Sequence, residues 1–96
     1  MSSATILIIE AIRSQRLLRF DYKGQPRLVE PHTYGRDRWQ REVLCAFQVD
    51  GGSSNGWRSF VVGEATSVRI ETAGFAQPRP EYRSDDGAFV EILAQL

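Results

Sequence analysis

Along residues 4–15 the apolar positions recur at helical spacing. Ile8, Ile9, Ala11 and Ile12 share one side, and Glu10, Arg13 and Ser14 face the other. Ser2 or Ser3 is placed to cap this helix, whereas Ile6 and Leu7 fall off its apolar face. From residue 17 the period drops to two. Leu18, Phe20 and Tyr22 alternate with Arg19 and Asp21, which predicts a strand over 17–22. Lys23-Gly24 reads as a turn, and Arg27 to Thr33 as a second strand that Pro31 ends or bends. Gly35 to Gln40 is a charged loop. Glu42 to Val49 is the strongest strand and, apolar on both faces, is expected at the centre of the sheet.

The segment from Asp50 to Gly56, with three glycines, is too long for a two-residue turn and reads as a flexible hairpin loop. Trp57 to Val62 and Ser67 to Glu71 complete a set of five strands, with a turn or one helical turn over 63–66. Pro78 and Pro80 exclude a continuous helix over 73–82 and predict an extended surface arm. Phe89, Ile92, Leu93 and Leu96 fit a helical face or a terminal strand equally. The reading is mainly β (α+β) and one domain over 1–96. It consists of a helix at 4–15, a small five-stranded barrel at 17–71, and a C-terminal arm at 73–96 that ends in a short helix or strand.

Composition is ordinary for a globular domain, with 42% hydrophobic and 25% charged residues. Ile6 to Ile9 is too short for a signal peptide and no segment approaches membrane-spanning length, so a cytoplasmic location without membrane contact is expected. Net charge is zero but divided. Residues 1–41 carry eight basic and four acidic groups (8 − 4 = +4), and residues 42–96 carry four and eight (4 − 8 = −4). That asymmetry points to a polyanion partner or to self-association.

Catalytic signatures are missing: there is no nucleophile elbow and no phosphate-cradling glycine loop. One histidine, His32, and one cysteine, Cys45, do not make a usual zinc site. A non-enzymatic chain without a cofactor is expected. The chemistry that is present is aromatic and basic. Tyr34, Trp39 and Trp57 interleave with Arg27, Arg36, Arg38, Arg41 and Arg58. Guanidinium groups that follow phosphates and rings that stack on bases are what single-stranded nucleic-acid sites use, and a small anion could use the same set. A small barrel fills its interior with apolar groups. Arg27, His32 and Tyr34, with Trp57 and Arg58, are therefore expected on a rim or groove as a ligand-binding set.

The chain resembles a stand-alone WYL domain. The resemblance runs from Ala11-Ile12 through Leu17 to Tyr22, Arg27 to Gly35 and Val43 to Gln48, then to Trp57-Arg58-Ser59-Phe60 and the Pro78-Arg79-Pro80 tail. It implies an Sm-like, SH3-like barrel behind an N-terminal helix. It also implies a regulatory module that senses nucleic acid or another anionic ligand, with Arg27 and Arg58 at the family's basic positions. The family's Trp-Tyr-Leu triplet reads Glu42-Val43-Leu44 here, and its Asp-Arg-Ile reads Gly63-Glu64-Ala65. The alternative is a protein-interaction or homo-oligomerisation module acting through exposed strand edges.

Overall fold

The computed structural model describes residues 2–52 and 54–96. Helix α1 spans Ser3–Ser14, one residue earlier at each end than its apolar pattern suggests. Ser2 caps it by accepting from the Thr5 amide at 3.2 Å. Gln15 closes it in the left-handed conformation (φ 53°), where its amide donates back to the Ala11 and Ile12 carbonyls. Six strands follow: β1 (Arg16–Tyr22), β2 (Gln25–Arg36), β3 (Glu42–Asp50), β4 (Gly56–Val61), β5 (Ala65–Gly74) and β6 (Glu91–Gln95). A 3-10 turn, Val62–Glu64, joins β4 to β5. The C-terminal segment is thus a strand, and residues 75–90 form the irregular arm before it.

All pairings are antiparallel, in the order β4-β3-β2-β1-β5, with β6 added to β2. The centre is therefore β2 and not β3. Its first half pairs with β1 and its second half with β6, while β3 runs along its other edge. Lys23 and Gly24, at φ 52° and 77°, make the two-residue β1–β2 turn that requires positive φ at both positions. Proline at 31 bends β2 and does not end it: the ladder to β3 shifts register between Pro31 and Thr33. The first and last strands of the path, β4 and β5, are joined by three residues, which places the end of β4 next to the start of β5. No ladder links them among the described residues.

The inner face carries the core. Leu18, Phe20, Val29, Leu44, Ala46 and Phe60 pack with Ile8, Ala11 and Ile12 of α1. Phe20, Tyr22 and Phe60 meet edge-to-face with centroids 4.9–6.3 Å apart. Gly35 admits β6: a Cβ there would run into the Glu91 carbonyl oxygen and close on Ile92. Gly35→Ala should therefore weaken the β2–β6 ladder and cost about 1–3 kcal/mol, measured as a fall in the urea midpoint. An unchanged midpoint would show that β6 is dispensable.

Candidate functional site

The outer face of β2–β3–β4 is built from two cross-strand rows. Glu30 lies opposite Phe47, which lies opposite Trp57. The next row is Thr33, Cys45 and Ser59. The arm lies over both. Gln15 fixes its start, with the Phe75 amide donating to the Gln15 carbonyl at 3.0 Å. Arg79 fixes its middle: Nε and Nη2 donate to the two Glu30 oxygens at 2.7 and 3.0 Å, and the guanidinium sits 4.0 Å from the Phe47 centroid. Tyr82, three residues on, pins it again by donating to the Leu96 carbonyl at 2.9 Å, and the Val90 amide ties its end to the Arg36 carbonyl at 2.8 Å.

This arm accounts for the first correction to the expected binding set. His32 is fully buried beneath it, with Trp57, Phe75 and Tyr82 around its ring at 4.7, 5.7 and 5.3 Å. Its Nδ1 lies 2.8 Å from the Glu30 carbonyl, and its Nε2 accepts from the Arg79 amide at 3.1 Å. Those partners assign the proton to Nδ1. Burial holds the imidazole below its ordinary 6.5. The nearby Arg79 charge acts in the same direction, against the Glu30 carbonyl and carboxylate.

Tyr34 is likewise inside and not on a rim. Its ring joins the core, and its hydroxyl donates to Glu42 and lies 2.9 Å from the Thr5 hydroxyl. Burial, and then the Glu42 contact, push this phenol up to about 12. Arg27 and Arg58 do converge, on the β3–β4 turn. Arg27 donates to Gln48 Oε1 (3.0 Å) and to the Tyr22 carbonyl (3.2 Å), while Arg58 donates to the Ser54 carbonyl (2.6 Å). Gln48 joins them by donating to that same Ser54 carbonyl at 3.0 Å. Arg27 Nε is buried without a partner among the described residues. Both guanidinium groups thus brace the turn. Trp57 is half-buried and donates to Glu81 at 3.2 Å.

The exposed aromatic is Trp39, at 64%. Arg38 and Arg41 lie 4.8 and 5.2 Å from its ring centroid. Asp37 makes the presenting turn rigid. Its Oδ1 accepts from the Trp39 and Arg41 amides at 2.9 and 3.0 Å, and its Oδ2 from Arg41 Nε at 2.9 Å. Partial burial opposes ionisation of Asp37, but these donors hold its carboxyl below the usual range. The sequence carried this signal in Asp37-Arg38-Trp39-Gln40-Arg41, where charge density reads first as solvated loop.

Two adjoining cavities run along the outer face, with Cys45 and Asp86 common to both. One, of about 420 Å³, lies between Trp57 and residues 81–87. The other, of about 320 Å³, is floored by Val43 and Val61 and bounded by Trp39, Arg41, Ser59 and Phe89. Burial, and then the Asp86 charge, raise the Cys45 thiol against its hydrogen bond to Ser59, which keeps it protonated near neutrality. Among the described residues, no three His, Cys, Asp or Glu side chains are grouped to hold a metal. Among those residues, too, no helix is long and apolar enough to cross a membrane.

Comparison with protein families, characterised proteins and solved structures gives no match to this chain.

Proposed function

We propose that this chain is a non-enzymatic, WYL-like regulatory module with an Sm-like or SH3-like barrel, and that it binds single-stranded nucleic acid or a small anionic ligand. The barrel reading is supported by the strand order and by the three-residue link that draws β4 toward β5. The ligand reading rests on one observation: an exposed indole, on a turn closed by Asp37, with two guanidinium groups beside its ring. An exposed tryptophan gains buried area when a base stacks on it. The adjacent cations answer the phosphate. In this reading Arg27 and Arg58 shape the β3–β4 turn at the far end of β3, and Trp39, Arg38 and Arg41 meet the ligand.

Fluorescence anisotropy with labelled single-stranded RNA and DNA, at low and near-physiological salt, tests this. Binding should weaken with salt. Trp39→Ala should cost about 1–3 kcal/mol of binding per stacked base, and Arg38→Ala should reduce the salt dependence. Undiminished binding by both variants would remove the site. Edges of β4 and β5 that pair with no strand among the described residues favour a second reading, self-association of this chain. Light scattering that finds only monomer at high protein concentration would dispose of it.

A further inference from the structure

The cavity beside Trp39 has a shape and a polar inventory that select among ligands. Its floor and sides are Val43, Val61, Ala88 and Phe89, with the Trp39 indole as one wall. At about 320 Å³ it lies at the small end of ligand pockets, which begin at roughly 300 Å³, and a single heterocycle fits there better than a folded chain. Two carboxylates line it, in different states. Asp37 is consumed by its own turn, both oxygens accepting from Trp39 and Arg41. Asp86 is not: its Oδ1 accepts from the Ala88 amide at 2.9 Å, and its Oδ2 makes no hydrogen bond among the described residues. Asp85 next to it is turned away onto Gln95, at 3.0 Å.

Resting on the anionic-ligand reading above, we infer that this cavity is a guanine-selective nucleotide site. The Asp86 carboxylate accepts from N1–H and N2–H of the base, Trp39 packs on the ring, and Arg38 and Arg41 face the phosphate. A carboxylate only accepts. Guanine offers it two adjacent donors on one edge, whereas adenine and cytosine offer a single exocyclic amine. The phosphate end is open: Arg41 spends Nε and Nη2 on Asp37, which leaves Nη1, and Arg38 makes no ion pair among the described residues. The Asp86 charge disfavours a phosphate beside it, whereas beside Trp39 the Asp37 charge is offset by Arg38 and Arg41.

Titration calorimetry of the whole chain with GMP, IMP and AMP at low salt is the test. GMP should bind about tenfold more tightly than AMP, the ratio one additional charge-assisted hydrogen bond carries. IMP, which keeps N1–H and lacks the 2-amino group, should fall between them. Asp86→Asn should abolish the preference while the anisotropy signal from oligonucleotides persists. Because Asp86 also caps its turn, the wild-type GMP, IMP and AMP series stands as a test without the variant. Equal affinity for GMP and AMP, or GMP silent while oligonucleotides bind, overturns this inference and leaves the anionic reading intact. Neither nucleotides nor oligonucleotides binding overturns both.

Discussion

Phe60→Ala is expected to destabilise the fold by about 3–5 kcal/mol, the range for emptying a buried aromatic site. Phe60 is 2% exposed and stands at the meeting point of the aromatic cluster, 4.9 Å from Phe20 and 5.0 Å from Tyr22. The loss would not stay local. Tyr22 accepts from the Val61 amide at 3.1 Å, so slack in the cluster loosens the point where β4 turns toward β5. At roughly 0.05–0.15 kcal/mol per residue, a chain of 96 residues has about 5–14 kcal/mol of stability. A change of this size therefore removes a large fraction of the margin. Phe47→Ala is the control. Phe47 is a half-buried phenylalanine on the outer face under Arg79, and its truncation should cost less than half as much. Urea unfolding of both variants at constant slope makes the comparison. Equal costs would mean that the arm-covered face and the aromatic interior contribute alike.

The inner face was legible in the sequence because its signal is local. Leu18, Phe20 and Tyr22 alternate, and α1 shows its stripe, so period alone assigns strand, helix and core. The outer face was not legible, for a physical reason. Every residue of β2 from Val29 to Gly35 is buried, although polar types alternate along it, because three strands and the arm surround it. Polarity in Glu30, His32 and Tyr34 suggests solvent only while their partners are unknown. Those partners lie far away in sequence, at Arg79 for Glu30 and His32 and at Thr5 and Glu42 for Tyr34. The bulge at Pro31 adds to this, since it breaks the simple alternation that would place 32 and 34. Trp39 was visible as a residue type. Its exposure was not, because that depends on how Asp37 closes the turn.

Lowering the pH below 6.5 is expected to loosen the arm, and His32 is the residue responsible. Its Nε2 is the acceptor for the Arg79 amide. A proton placed there removes the acceptor and adds a second cation beside the Arg79 guanidinium. The titratable or charged groups around the ring are Glu30, Arg79 and Tyr82; Trp57 and Phe75 carry no charge. Burial holds the folded imidazole below 6.5, so the unfolded chain binds its proton first as pH falls. Stability from this group is therefore complete above 6.5, declines as pH drops below it, and levels off beneath the folded value. The slope reaches at most about 1.4 kcal/mol per pH unit for one proton. Asp37 acts in the same direction but its loss begins only at the ordinary carboxylate range, so the decline just below 6.5 belongs to the histidine. His32→Phe keeps an aromatic ring among Trp57, Phe75 and Tyr82. It leaves the Arg79 amide and the Glu30 carbonyl without their ring partners, at about 1–3 kcal/mol for each buried group. That variant should be less stable at pH 8 and should lose the slope just below pH 6.5. Trp57, which touches both His32 and Glu81, makes fluorescence a reporter of the arm. An undiminished slope in His32→Phe would show that another group carries the acid response and that the histidine serves the arm by packing alone.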